Sequence, residues 1–190
     1  MLHSATKFLG GHSDVLAGLI VTADEELGKR VKALQNGLGT VLGTQESWLL
    51  MRGMKTLQVR MEASERSARK LAQWLNEHPG VARVYYPGLD GHPGKDVHER
   101  QSQGYGAVVS FDAGSGEKAR RLLGKVRIPI VAVSLGAVES ILSYPAMMSH
   151  AAMPAEVRAA RGITDGLVRY SVGLEDVDDL IRDLAQALEA

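Results

Sequence analysis

The sequence predicts a mixed α/β protein whose residues 80–190 form a compact α+β layer pair, and three observations carry this. Short apolar runs of strand length alternate with longer stretches of helical periodicity. The strand-like runs come at irregular intervals, without the even spacing of a barrel. The chain closes on an amphipathic stretch that places Val177, Leu180, Ile181, Leu184 and Leu188 on one face, with Asp179, Arg182 and Asp183 outside. Such a helix needs a sheet or another helix to cover it.

The elements follow in order. The polar, glycine-rich segment Ser4 to Asp14 opens the chain with no element before it, and the apolar run Val15 to Val21 has strand length. Thr22-Ala23-Asp24-Glu25 matches a capping box, with Leu27, Val31 and Leu34 at helical spacing behind it, so a helix is predicted from about 23 to 36, ending at Gly37 and Gly39. Glu46 to Glu77 is helix-compatible throughout apart from Gly53, and its length predicts two helices in series or one bent connector. Pro79-Gly80 ends it. Val81 to Tyr86 and Gly106 to Phe111 read as strands, and a helix follows Ser115. A strand at Ile128 to Val133, a helix near Val138 to Leu142 and a strand at Leu167 to Val172 precede the final helix.

Composition narrows the function classes. Twenty-two Lys and Arg balance 22 Asp and Glu, and both signs are scattered along 190 residues. This argues against nucleic acid or an acidic membrane surface as the main partner. No cysteine is present, so a disulfide framework, a thiolate zinc site and a catalytic thiol are excluded. No apolar run has the length of a bilayer span, and no secretory leader is recognisable, which predicts a cytoplasmic protein. Glycine, at 21 residues, is enriched without any repeat, so backbone shape matters at several points. His92 and His98 lack a carboxylate in register and fall short of a metal ligand set, so no metal site is expected and a surface loop is.

Three places carry candidate chemistry. Ser4, Thr6 and Lys7 put two hydroxyls and an amine beside Gly10 and Gly11, the composition of a phosphate cradle with an adjacent cation or nucleophile. By spacing alone the lysine reads first as a solvated surface group. Ser134-Leu135-Gly136, between a predicted strand and helix, offers a hydroxyl and main-chain N–H groups at a positive helix terminus, suited to a carboxylate or simply to capping the helix. Arg169 lies mid-strand, and alternation puts Leu167, Arg169 and Ser171 on one face. A guanidinium there needs either a bidentate carboxylate ligand or a protein Asp or Glu.

Together these segments resemble the pyridoxal-phosphate (PLP) enzymes of cysteine and methionine metabolism: cystathionine γ-synthase, cystathionine β- and γ-lyase and methionine γ-lyase. Ser4 to Asp14 resembles the family's cofactor-lysine signature. Trp48-Leu49, Arg52-Gly53 and Lys55-Thr56-Leu57 resemble its Trp-Leu…Arg-Gly-Leu-Lys-Thr-Leu helix. Tyr85 to Leu89, Ser134 to Gly136, Tyr144 to His150 and Arg169 to Asp176 follow in the family's order.

The resemblance implies an aspartate-aminotransferase-like fold of type I, with residues 1–59 a remnant of the PLP-binding large domain and residues 60–190 the complete small domain, entered through a long connecting helix. It implies that Lys7 carries PLP as a Schiff base and shuttles the substrate's Cα proton, and that Ser4 and Thr6 hold the cofactor phosphate. Arg169 would clamp the α-carboxylate of a sulfur amino acid, with Ser134 and Leu135 assisting. A homo-oligomer, or pairing with a missing N-terminal half, is implied as well. Family members are much longer, so this polypeptide alone is expected not to turn over substrate. A non-catalytic interaction module that complements a partner chain is the alternative. Two departures bear on detail. Ser64 and Ser67 stand where the family usually has histidine and asparagine, which is expected to weaken packing or a subunit contact there. Val133 stands where many cystathionine-processing members have glutamate and so resembles methionine γ-lyases, whereas Gly43 to Trp48 resembles the bacterial cystathionine lyases.

Overall fold

A computed structural model describes residues 1–189, and the chain divides into two units, Met1–Gln58 and Val59–Ala190. In the first unit, β1 (Leu2–Ser4) pairs antiparallel with β2 (Gly18–Ile20), with Leu2 opposite Ile20 and Ser4 opposite Gly18. The predicted strand over 15–21 is therefore shorter, and β1 is an element that three residues of mixed polarity do not announce. Helix α1 (Glu25–Leu38) begins about two residues later than the capping-box reading. Asp24 is the N-cap, its carboxylate accepting the Leu27 N–H at 2.7 Å, while Thr22 Oγ1 accepts the Asp24 N–H at 3.1 Å. Gly39 ends α1 in the left-handed region at φ 70°. Helix α2 (Thr44–Met54) follows.

The second unit is a mostly antiparallel sheet layered with helices. Helix α3 (Leu57–Glu77) enters it, so the long helical stretch resolves into two helices in series. Arg60, Ser64, Ala68, Leu71, Ala72 and Leu75 are its buried residues, a single stripe at helical spacing. Ser64 lies within that stripe, buried, and its hydroxyl donates to the Gly173 carbonyl at 3.1 Å. Strands β3 (Arg83–Tyr85), β4 (Val108–Asp112), β5 (Ile130–Val131), β6 (Ile141–Ser143) and β7 (Leu167–Ser171) form one sheet in the order β3-β4-β7-β6-β5, parallel only between β5 and β6. Helices α4 (Lys95–Gln101), α5 (Gly116–Lys125), α6 (Ala155–Ala160) and α7 (Val177–Leu188) complete the unit.

The core joins α3, the sheet, α5 and α7. Leu71, Leu75, Val109, Phe111, Leu122, Val168, Tyr170, Leu180 and Leu184 lie fully inside it. Each such side chain contributes roughly 1.5–3 kcal/mol by leaving water. Alternation on β7 is as expected, with Val168 and Tyr170 facing this core and Arg169 on the opposite face.

Three expectations are corrected. Residues 138–142 are not a helix, because Ile141–Ser143 is the buried strand β6 between β5 and β7 and its main chain is committed to the ladder. Asp183 is not on the outer face of α7 but buried, because its carboxylate accepts the N–H groups of Arg127 (2.9 Å) and Ile128 (3.0 Å). His98 lies on α4, not in a loop, with Nε2 2.8 Å from the Gly104 carbonyl. Among the described residues no helix is long and apolar enough to cross a membrane.

Candidate functional site

In the first unit, the connection between β1 and β2 is a folded turn that presents Lys7. Ala5 N–H and Thr6 N–H both donate to the Ala17 carbonyl (2.8 and 3.2 Å), Gly10 N–H donates to Ala5 O (2.9 Å) and Gly11 N–H to Lys7 O (2.8 Å). Thr6 Oγ1 accepts the Ala17 N–H at 3.0 Å, which leaves its own proton with only a 3.4 Å contact to Ala17 O. Among the described residues the exposed Ser4 hydroxyl has no hydrogen-bond partner. Gly10 is required sterically: a Cβ there would lie 2.7 Å from Val15 Cγ1 and 2.9 Å from Ala5 O. The structure thus gathers Ser4, Thr6 and Lys7 in one turn. Two hydroxyl protons uncommitted to strong bonds, beside an amine three residues on at most, suit a phosphate-bearing aldehyde cofactor.

Helix α2 buttresses this turn through a missing side chain. A Cβ on Gly53 would lie 2.2 Å from the Gly10 carbonyl oxygen. Only glycine lets the helix backbone approach that closely.

In the second unit, β7 positions Arg169 between β4 and β6, opposite Ser110 on one side and Ser143 on the other. Its Nη2 donates to the Ser134 carbonyl at 2.5 Å and to Ser143 Oγ at 2.9 Å. Ser143 Oγ passes its own proton to the Ala132 carbonyl at 2.6 Å. Arg169 Nε is buried and has no acceptor, and no Asp or Glu among the described residues forms an ion pair with this guanidinium. Burial pushes its pKa down from the ordinary arginine value, yet a guanidinium stays charged in a protein. An intramolecular salt bridge is thereby set aside, and a desolvated cation is left with a neutral-only shell of its own.

The Ser134 loop lies directly on that cation, but not at a helix terminus. Ser134 has φ 94° and Gly136 φ 79°, so the loop turns through the left-handed region twice. Gly136 N–H donates to Ser171 Oγ at 2.8 Å. Ser134 and Arg169 are therefore joined by a hydrogen bond, and half-buried Leu135 lies between the two tethers of this loop. Two participants are not among the site residues that the sequence points to. Ser171 shares the face of Arg169 by strand alternation, which was signal enough. Ser143 was hidden by the helix expected over 138–142.

Comparison with known proteins gives a consistent result. A family model described as Cys/Met metabolism PLP-dependent enzyme matches residues 1–189. The cystathionine beta-lyase MetC of Bacillus subtilis (strain 168) is 60% identical over 189 residues, covering 100% of this chain and 48% of the relative. The cystathionine gamma-lyase of the same organism is 55% identical, covering 100% and 50%. Among solved structures, the cystathionine gamma-lyase CalE6 of Micromonospora echinospora superposes with a TM-score of 0.96 at 42% identity, over 100% of this chain and 50% of that one. The chain spans about half the length of the curated relatives it matches.

Proposed function

Because the chain belongs to the Cys/Met metabolism PLP-dependent enzymes, we propose that it supplies the cofactor lysine and the substrate-carboxylate site of a carbon–sulfur lyase acting on cystathionine-type amino acids. Residues 1–59 are, on this reading, part of the PLP-binding domain and residues 60–190 the small domain. Turnover belongs to an assembly that also carries the other half of such a protein, and oligomerisation and a cytoplasmic setting go with it.

The observation that supports the reading best is Arg169. A strand-borne guanidinium, half-buried, held by two neutral oxygens and met by no protein carboxylate, suits the α-carboxylate of an amino acid. Lys7 Nζ would hold the cofactor's aldehyde group and would serve as the base for the proton at the substrate Cα. Ser4 and Thr6 would donate their hydroxyls to the cofactor phosphate. Bound there, PLP supplies an electron sink for the charge left at Cα when that proton departs. Arg169 would hold the α-carboxylate of the amino acid whose thiol leaves from Cβ or Cγ. A second reading, a methionine-type thioether substrate, is favoured by Val133, which is apolar and 61% exposed beside Ser134.

Reduction with borohydride after mixing the purified chain with equimolar PLP tests the assignment. The pyridoxyl group is expected on Lys7 ahead of the other lysines, mapped by peptide mass; labelling spread over the lysines by exposure alone overturns it.

A further inference from the structure

The segment that follows β7 is folded back onto the loop that carries Ser134. The Glu175 carboxylate accepts the Ser140 N–H at 2.7 Å and the Ser140 hydroxyl at 2.8 Å. Ser140 Oγ accepts the Gly173 N–H at 2.9 Å, and Leu174 N–H donates to Val138 O at 2.8 Å. Ser140 is fully buried, so these bonds form away from water. The two backbones touch: a Cβ on Gly173 would lie 2.3 Å from Val138 O and 2.5 Å from Ser140 N.

This contact matters because residues 132–140 contain no helix or strand and still hold a serine at φ 94°. A non-glycine residue stays in that region only where its surroundings over-determine it. Three sets of groups do so here. Arg169 takes the Ser134 carbonyl, Ser171 takes the Gly136 N–H, and Glu175 takes Ser140 twice. Glu175 is the charged acceptor among them, and charge-assisted bonds are the strong ones. If Ser140 swings free, Ser134 can relax out of its strained backbone and its carbonyl leaves Nη2. The guanidinium would then turn its donors toward whatever acceptors the loop offers.

We propose that Glu175 is a positioning residue for the carboxylate site: by fixing Ser140 it keeps the Ser134 carbonyl on Arg169 Nη2, so that the remaining guanidinium donors face the incoming carboxylate. The inference rests on the reading of Arg169 as that site. It assigns to Glu175 no contact with substrate or cofactor.

The test uses the 190-residue chain and acetate as the probe carboxylate, followed at the Arg169 Nε–Hε resonance by NMR. The unmodified chain is expected to give a saturable shift. In Glu175→Gln the apparent affinity is expected to fall about tenfold, the scale of one charge-assisted bond no longer holding its acceptor in place, while the β4 amides of Val109 and Phe111 keep their shifts. Ser140→Ala, which leaves the Glu175 charge and its bond from the Ser140 N–H but removes the hydroxyl's bonds to Glu175 and Gly173, is expected to fall in between and serves alone if Glu175→Gln does not fold. Equal response in the unmodified and variant chains overturns the positioning role and leaves the Arg169 reading standing. No response at Arg169 in the unmodified chain overturns that reading, and this inference with it.

Discussion

Arg169 Nη2 donates to the main-chain oxygen of Ser134 across 2.5 Å, and Ser134 adopts φ 94° to receive it. The bond ties the one cation of β7 to a loop by a neutral group, while no Asp or Glu among the described residues pairs with it. Arg169→Met removes a desolvated cation without a counter-ion but also the bonds to Ser134 O and Ser143 Oγ, so the two effects are expected to offset to within about 1 kcal/mol in urea unfolding. The same variant should abolish the acetate response. A loss of stability above about 2 kcal/mol would instead mark the guanidinium as a structural tie.

The Lys7 turn should be sensitive to α2 through Gly53. A methyl there would sit 2.2 Å from the Gly10 carbonyl, which is main chain and cannot swing aside. Gly53→Ala is expected to cost about 2–3 kcal/mol by overpacking, read from the urea midpoint. It should also lower selective pyridoxyl labelling of Lys7, because the displaced carbonyl belongs to the turn that presents the lysine. Gly37→Ala is the control: nothing lies within 4 Å of its Cβ position, and stability should hold or rise.

Much of this was legible in the chain because local rules and tertiary demands agreed. Strand alternation over 167–172 placed Arg169 and Ser171 on one face, and Ser115 announced α5 by capping Lys118 N–H. Legibility failed where a distant partner decided the outcome. Val138 to Leu142 carries apolar residues at a helical interval, but pairing with β7 and β5 outweighs that local preference. Asp183 reads as a surface acid on α7 until Arg127 and Ile128, more than fifty residues earlier, bring their N–H groups to it. The Lys7 turn had no local signature beyond glycine and hydroxyls, so its role came through resemblance to a family and not through periodicity.

Acid should loosen the contact between α3 and the turn before β4. Burial pushes the Glu65 carboxyl up, but hydrogen bonds from Tyr105 N–H and Arg69 outweigh it and hold its pKa below the ordinary value near 4.5. A carboxyl depressed in the folded state binds its proton more readily once unfolded. Its stabilisation is complete above that ordinary value and is lost as pH falls through the folded one. Between about pH 5 and about pH 3 the unmodified chain should lose stability more steeply than Glu65→Gln. Parallel urea midpoints across that range would exclude the contribution.

Asp183 should govern how firmly β5 is held. Its carboxylate takes the N–H groups of Arg127 and Ile128 and lies 3.1 Å from Gln186 Nε2, immediately before the strand Ile130–Val131 that leads into the Ser134 loop. Asp183→Ala takes the acceptor from those partly buried main-chain donors, at a cost of about 1–3 kcal/mol. Asp183→Asn keeps one carbonyl acceptor but turns a donor toward donors, and should cost about half as much. The loss is expected to be local first. Amide exchange should accelerate at Ile130 and Ala132, whose N–H groups bond Ser140 and Leu142, before it does in β4. Uniform acceleration through both strands would show that Asp183 supports the whole core and not the edge that leads into the Ser134 loop.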